Sequence, residues 1–171
     1  MIKIVKASIK DAKLLSRISA ASFLPAHGHS SPKEDIEHYL AENFNERNFI
    51  NELNNNKNQY YLIELKDTIV GYSKIIFNEK CDIINTKNIT YMSRLYLLKE
   101  YYGVGLGKKL LDFNVNLSKE NKQKGIWLKV WVENQKAIKF YKKNGFKIIG
   151  KSDFKISETH SNPNHIMFLN F

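Results

Sequence analysis

Tyr102-Gly103-Val104-Gly105-Leu106-Gly107 is the most informative segment of the sequence, a turn with glycine at alternate positions. Residues 88–98 before it are rich in aromatic and β-branched side chains, which predicts a strand. After it, apolar side chains recur at helical spacing at Leu106, Leu110, Phe113 and Leu117. A strand, a glycine turn and a helix can cradle an anion, because glycine permits close backbone approach and free N–H groups begin the helix. The turn therefore predicts a phosphate-binding site.

Two familiar phosphate loops do not fit this turn. A Walker A loop requires G-x-x-x-x-G-K-[ST], but the stretch from Gly103 to Gly107 is one residue short and Lys108 is followed by Lys109. A dinucleotide fingerprint, G-x-G-x-x-G, needs glycine where Lys108 stands, and it follows the first strand of its unit. A flexible turn without a ligand remains the plain alternative.

Periodicity elsewhere extends the same α/β pattern. Strands are predicted near residues 2–5, 59–65, 69–77, 88–98, 126–132, 146–156 and 165–171. Helices are predicted after Asp11 and Ser31, at residues 46–53, after the glycine turn, and at residues 137–144. The order β-α-α-α-β-β-β-α-β-α-β-β predicts an α/β fold with a mixed sheet.

Local signals place the ends of several helices. Ser31-Pro32-Lys33-Glu34 has the order of a capping box, with Ser31 as the N-cap. Asn134 is a predicted N-cap, while Gly125 and Gly145 are predicted to stop the helices before them. All three prolines are expected in connections or at a helix start: Pro25, Pro32 and Pro163.

Composition predicts one domain, residues 1–171, in a reducing compartment. The 171 residues are 43% hydrophobic, enough for a core without disulfides or a structural metal. The lone Cys81 cannot form an intramolecular disulfide. No stretch approaches the roughly 18 apolar residues of a membrane span, and residues 1–7 lack the apolar region of a signal peptide. We therefore expect a cytoplasmic protein without a membrane partner.

The formal charge of +10 is distributed unevenly along the chain. Residues 1–85 hold 11 basic and 11 acidic side chains, whereas residues 86–171 hold 16 basic and six acidic ones. The second half therefore favours a polyanion, either a phosphorylated cofactor or a nucleic acid. A nucleic-acid module is the alternative class, although no recognition motif supports it. Six acids within residues 31–52 would instead favour a cation.

Two motifs resemble the GNAT superfamily of N-acetyltransferases. The glycine turn is similar to its Q/R-x-x-G-x-G/A pyrophosphate loop, with Tyr102 in place of Gln or Arg. Residues 134–146 are similar to its N-x-x-A-x-x-F-Y-x-x-x-G-F segment. The resemblance implies a GNAT-like fold, a mostly antiparallel twisted sheet of about seven strands with about four to five helices. It also implies an acetyl-CoA-binding core at residues 86–146 and mainly acceptor-side elements at residues 1–85.

Within the superfamily the chain most resembles the PaiA-type polyamine acetyltransferases. The supporting residues are Ser31-Pro32, Tyr39-Leu40, Phe44-Asn45, Gly71-Tyr72, Arg94-Leu95-Tyr96, Ile126-Trp127-Leu128 and Val130-Trp131. The resemblance implies a polyamine acceptor such as spermidine or spermine. A protein N-terminus, a lysine or an antibiotic amine remains an alternative acceptor, and a homodimer is compatible with the superfamily.

The resemblance also implies direct attack of the amine on acetyl-CoA in a ternary complex, without an acyl-enzyme. Acetyl-CoA would be held by Leu95, Tyr96, Leu97, Tyr102, Gly103, Val104, Gly105, Leu106, Gly107, Lys108, Asn134 and Lys143. Tyr141 matches the family's general acid, since a phenol with a pKa of about 10 is protonated at neutral pH. Cys81 has no neighbouring histidine in the sequence and is expected to be inert.

The general base stays open. Many relatives use a glutamate on the fourth strand, but this chain has Ser93 where we would look, with Tyr91 on the same face. A water chain could end instead at Glu133 or at an acid of residues 31–52. The histidines at positions 27, 29 and 38 are too weak a set to predict a metal. Trp127 and Trp131 are expected to pack in the core.

Overall fold

The computed structural model describes all 171 residues and confirms the predicted order of elements. The strands are β1 (Ile2–Lys6), β2 (Asn58–Leu65), β3 (Thr68–Ile76), β4 (Thr90–Leu97), β5 (Gly125–Trp131), β6 (Lys147–Lys155) and β7 (Ser161–Asn170). The helices are α1 (Ala12–His27), α2 (Lys33–Asn43), α3 (Glu46–Asn54), α4 (Leu106–Glu120) and α5 (Gln135–Lys143). None of the helices combines the length and the apolar composition that a membrane span requires.

The seven strands form one sheet in the order β1-β2-β3-β4-β5-β7-β6. Strand β1 pairs antiparallel with β2, and β7 pairs antiparallel with both β5 and β6. Strand β4 pairs in parallel with β5 over two residue pairs, Thr90 with Ile126 and Tyr91 with Trp127. The predicted mixed sheet is therefore confirmed, and the pairing of β4 with β5 ends near the beginning of β4.

The chain divides into two compact units. The first unit comprises Met1–Ile75 and Arg94–Asn114, and the second comprises Ile76–Ser93 and Val115–Phe171. Buried side chains at the core of the first unit are Ile63, Val70, Leu106 and Leu110. Those of the second unit are Cys81, Ile89, Trp127 and Ile166.

The charge is distributed differently between the two folded units than between the two halves of the sequence. Because residues 94–114 fold into the first unit, it holds 14 basic and 11 acidic side chains. The second unit holds 13 basic and six acidic ones. Each unit is therefore net basic, and the division at residue 85 does not coincide with a boundary of the folded units.

Two predicted helix ends are wrong. Helix α2 begins at Lys33 with Pro32 as its N-cap, and no side chain caps it. The hydroxyl of Ser31 is buried without a hydrogen-bond partner, so the capping box does not form. Pro25 lies inside α1 rather than in a connection. The helix continues past it because the amide of Gly28 still donates to the carbonyl of Leu24, 2.9 Å away.

Gly125 also has a different role from the predicted one. Helix α4 ends at Glu120, and Lys122 adopts the left-handed conformation with φ of 57°. Gly125 instead begins β5, where a Cβ would lie 2.5 Å from a ring carbon of Phe168. The predicted cap and stop of α5 are confirmed: the Asn134 side chain accepts from the amide of Ala137, and Gly145 has φ of +90°.

Candidate active site

The glycine turn owes its shape to two of its three glycines. Gly103 and Gly105 have φ of +82° and +84°, the left-handed region that glycine adopts without steric cost. A Cβ on either residue would meet nothing within 4 Å, so the requirement is conformational. Gly107 lies inside α4, just after its first residue, Leu106. The turn is therefore open on the side where these glycines lack a side chain.

The start of α4 supplies hydrogen-bond donors next to this turn. The carbonyl of Gly105 accepts from the amide of Lys109 at 3.1 Å, which closes the first helical turn. The amides before Lys109 have no carbonyl one turn earlier in the helix, and the helix dipole makes this end positive. The amide of Tyr102 donates to the carbonyl of Lys99 at 3.1 Å. The donor set thus begins at Gly103, one residue later than predicted.

The side chain of Lys108 points along the helix rather than standing free. Its ammonium forms an ion pair with the carboxylate of Asp112, one turn further along α4. Both side chains are about half exposed. The contribution of Lys108 to an anion site is therefore best assigned to its backbone amide.

Strand β4 directs alternate backbone groups to its two sides. The amide of Leu98, just after β4, donates to the carbonyl of Val70 on β3 at 2.9 Å. Alternation then turns the backbone groups of Leu95 and Leu97 away from β3. The Leu97 carbonyl accepts from the hydroxyl of Ser22 at 3.1 Å, which leaves one of its two lone pairs. Tyr96 turns its ring into the first unit, 5.6 Å from the ring of Tyr72.

Gly71 permits a close approach between β3 and β4. A Cβ at this position would lie 2.3 Å from the carbonyl oxygen of Tyr96 and 2.5 Å from a methyl group of Leu97. Such separations are far shorter than van der Waals contact. Glycine at position 71 therefore sets the position of the β4 segment that contains both residues.

The second unit holds the other predicted site residues. Tyr141 on α5 is 9% exposed, and its ring packs 5.5 Å from that of Phe146. The Asn134 side-chain oxygen caps α5, so its amide nitrogen is the group that could donate to a ligand. Lys143 is exposed in the last turn of α5. The phenol of Tyr141 is thus rigidly held, whereas Lys143 is solvated.

Neither residue considered as a base on β4 has the setting of one. Tyr91 stacks on Trp127 with ring centroids 4.1 Å apart. The hydroxyl of Ser93 is buried without a hydrogen-bond partner. Trp127 and Trp131 are 5% and 6% exposed, which agrees with the core packing expected for them. Glu133 is exposed just after β5.

A largely buried charged cluster in the first unit was not predicted from the sequence. We call it the Glu52 cluster: Glu52 on α3, Tyr60 on β2, Lys74 on β3 and Arg94 on β4. The Lys74 ammonium lies 2.5 Å from one carboxylate oxygen of Glu52, and the Arg94 guanidinium lies 3.2 Å from the other. Arg94 also donates to the Tyr60 hydroxyl at 2.7 Å, and that hydroxyl donates to Glu52. The sequence did contain one indication of this cluster, because Lys74 and Arg94 each interrupt a run of apolar residues in a predicted strand.

The Glu52 cluster places two cations around one carboxylate. Burial raises the pKa of Glu52, but Arg94, Lys74 and the hydrogen bonds outweigh it and hold that pKa below its usual value. Burial lowers the pKa of Lys74 despite the nearby carboxylate. Arg94 also lies 5.3 Å and 5.4 Å from the ring centroids of Phe44 and Phe49. A cation of the chain itself thus occupies these aromatic faces.

The acidic side chains of residues 31–52 do not lie together on one surface. Glu52 is turned inward, while Glu37 pairs with Lys33 at 3.5 Å and Glu42 with His38 at 3.2 Å on the exposed surface of α2. Nowhere in the 171 residues do three or more histidine, cysteine, aspartate or glutamate side chains come together as for a metal. Cys81 is 8% exposed in the apolar core of the second unit.

We expect the stability of the protein to depend on pH because of buried His27. Burial lowers its pKa from 6.5 to about 4, with a smaller contribution from His29. The unfolded chain therefore binds a proton that the folded one resists, so this stability is complete above pH 6.5 and is lost as the pH falls toward 4. His27→Phe should keep the stacking on Phe23, 4.6 Å away, and flatten the fall in melting temperature across this range. A profile as steep as that of exposed His38→Gln would contradict this prediction.

Comparison with known proteins identifies the family. A family model described as the acetyltransferase (GNAT) family matches residues 21–146. This chain belongs to the GNAT family of acetyltransferases. It is accordingly an N-acetyltransferase whose cosubstrate is acetyl-CoA. The glycine turn and α5 both lie within the matched residues.

Relatives of this GNAT chain span most of its length. It is 28% identical over 144 residues to an uncharacterized N-acetyltransferase of Lactobacillus delbrueckii subsp. lactis, covering 84% of this chain and 83% of that one. It is 28% identical over 155 residues to a spermidine N(1)-acetyltransferase of Thermoplasma acidophilum, covering 86% and 89%. The PaiA N-acetyltransferase from Thermoplasma acidophilum in complex with coenzyme A has a TM-score of 0.80, 23% identity, and coverage of 100% and 99%. That structure shares the fold.

Proposed function

We propose that this GNAT enzyme acetylates an amino group of a polyamine such as spermidine or spermine. The observation that carries the proposal is the similarity to a spermidine N(1)-acetyltransferase across 86% of this chain. The fold shared with PaiA supports it. A protein N-terminus, a lysine and an antibiotic amine are the competing acceptors.

We assign the pyrophosphate of acetyl-CoA to backbone donors rather than to a charged side chain. The amides from Gly103 to Lys108 would hold the pyrophosphate, because two left-handed glycines leave the turn open and a helix begins there. The backbone groups of Leu95 and Leu97 would pair with the pantetheine arm as a neighbouring strand does. The side-chain amide of Asn134 would donate to the same arm, and solvated Lys143 would meet the adenosine phosphates.

The chemistry is a direct transfer. The nitrogen lone pair of a neutral amine attacks the acetyl carbonyl carbon, the C–N bond forms, and the C–S bond breaks. Tyr141 would give its phenolic proton to the departing CoA thiolate, and water would take the proton that the amine nitrogen loses. Cys81 lies in the apolar core of the second unit, which is consistent with a reaction that uses no acyl-enzyme.

Gly105→Ala tests the glycine turn. Alanine resists the left-handed conformation that Gly105 adopts, at a cost of roughly 1 kcal/mol, which corresponds to a factor of about five in affinity. The KM for acetyl-CoA should rise by about this factor with little effect on kcat. The exposed Asn116→Ala on α4 serves as the control. An unchanged KM in Gly105→Ala would remove the turn from the cofactor site.

An acceptor screen tests the proposed substrate. Spermidine, spermine, short diamines and peptides with free N-termini are each incubated with acetyl-CoA, and release of free thiol is measured. The proposal expects the largest kcat/KM with a polyamine. Rates no higher than acetyl-CoA hydrolysis for every polyamine would refute it, and turnover of peptides alone would assign a protein acceptor.

A thermal shift comparison tests whether the basic charge serves nucleic acid. The melting temperature is measured with acetyl-CoA and, separately, with a short DNA duplex. We expect stabilisation by acetyl-CoA, whose pyrophosphate would bind at the glycine turn. Stabilisation by DNA alone would support the nucleic-acid-binding alternative instead.

A further inference from the structure

Two polar side chains on neighbouring strands of the second unit are buried without partners. The hydroxyl oxygen of Ser152 on β6 and the side-chain oxygen of Asn164 on β7 accept and donate no hydrogen bond. Ser152 and Asn164 are directly opposite in the antiparallel register, and Asn164 is 6% exposed. Opposed residues share a face, with Cβ atoms about 5 Å apart. Because native proteins rarely leave buried polar atoms unpaired, this pair requires an explanation.

A third such oxygen lies on the same face of the sheet. Asn164 is also opposite Trp131 on β5, and Trp131 shares its face with Trp127 by alternation. Tyr91 on β4 stacks on Trp127, so Ser93, two residues further, is on this face as well. The Ser93 hydroxyl is also buried without a partner. One face of the second unit therefore carries three unpartnered oxygens.

These oxygens suit a ligand that donates hydrogen bonds. Hydroxyl and amide oxygens accept from N–H groups, and an ammonium has three such donors. No acidic residue belongs to this set, so an amine would be held by neutral acceptors. Lys129 shares the face but is exposed, and water therefore screens its charge.

We propose that Ser152 and Asn164 form a subsite for a second amino group of the acceptor, not the one that is acetylated. The inference rests on the proposed function, in which acetyl-CoA lies along β4. A polyamine has a further amino group that can occupy this subsite, whereas a monoamine has only the one that is acetylated. The subsite selects acceptors with two or more amino groups.

Ser152→Ala and Asn164→Leu test the subsite with little risk to folding, because each removes an oxygen that has no partner in the protein. In either variant the KM for spermidine should rise by about tenfold or more, as expected for a lost hydrogen bond to a charged group. The KM for n-butylamine, which has a single amino group, should stay unchanged. Exposed Ser161→Ala on β7 is the matched control and should behave as wild type.

A binding measurement separates this inference from the proposed function. With CoA bound, spermidine should raise the melting temperature of the wild type more than that of either variant. If spermidine stabilises the wild type more than either variant but is not acetylated, the proposed function fails, while Ser152 and Asn164 still bind an amino group of spermidine. The subsite would be overturned if both variants kept the wild-type KM for spermidine, or if the KM rose equally for spermidine and n-butylamine. It would also be overturned if spermidine did not stabilise the wild type.

Discussion

Tyr141→Phe is expected to lower kcat at least tenfold while the affinity for acetyl-CoA changes little. General acid catalysis contributes about 10²- to 10⁴-fold, and the variant removes the phenolic proton while keeping the ring. Tyr141 is 9% exposed and packs against Phe146, so phenylalanine retains those contacts. Steady-state rates with saturating acetyl-CoA and spermidine measure kcat, and thermal shift with CoA measures cofactor binding.

A second phenol controls for this substitution. Tyr61 on β2 packs its ring 4.8 Å from that of Phe113 in the first unit and is not among the residues assigned to catalysis. Tyr61→Phe should keep the wild-type kcat. An unchanged kcat in Tyr141→Phe would contradict the general-acid role. If CoA binding fell together with kcat, the role of Tyr141 would be packing rather than proton transfer.

Glu52→Gln is expected to lower the free energy of unfolding by about 3 kcal/mol. The change removes the one carboxylate between Lys74 and Arg94, and breaking a buried ion pair costs about 3 to 5 kcal/mol because a buried charge is left uncompensated. We expect the lower value because the Glu52 side chain retains 25% exposure. Urea titration of the wild type and the variant gives the difference.

Glu64→Gln is the matched control for the Glu52 cluster. Glu64 pairs with Lys3 at 3.1 Å, and the two carboxylates are similarly exposed, at 19% for Glu64 and 25% for Glu52. The cations differ, because the Lys3 side chain is 47% exposed whereas those of Lys74 and Arg94 are 12% and 16% exposed. Such pairs contribute about 0 to 1 kcal/mol, so this variant should be nearly as stable as the wild type. If both variants lost equal stability, the Glu52 cluster would have no special role. Adding Lys74→Met to Glu52→Gln should recover part of the loss, since one buried cation is removed.

The elements and the glycine turn were predictable because their signals are local. Apolar spacing in α4, the strand patterns of β2 and β3, and the Asn134 cap each depend on a few adjacent residues. The prediction of a capping box at Ser31 was wrong because Pro32 can itself be the residue before a helix. The same local sequence was therefore compatible with Ser31 or Pro32 as the N-cap. Gly125 was misplaced because a contact distant in sequence, with Phe168, requires the glycine.

The Glu52 cluster and the unpartnered oxygens depend on strand pairing. Glu52, Lys74 and Arg94 are far apart in sequence, and α3, β3 and β4 bring them together. Lys74 and Arg94 each interrupt an apolar strand, which indicates that their side chains are buried. The strand patterns alone do not indicate which acidic residue pairs with them. Ser152 and Asn164 become neighbours through the register of β6 with β7. No spacing rule within a single element predicts such a pair.

Quantitative product analysis determines whether this GNAT enzyme transfers acetyl from acetyl-CoA to a polyamine nitrogen. Spermidine and acetyl-CoA are incubated with the enzyme, free thiol is titrated, and acetylated products are quantified by mass spectrometry. We expect one acetylspermidine for each thiol released, with a rate that depends on spermidine concentration. Thiol release that is the same with and without spermidine, and no acetylspermidine, would contradict it.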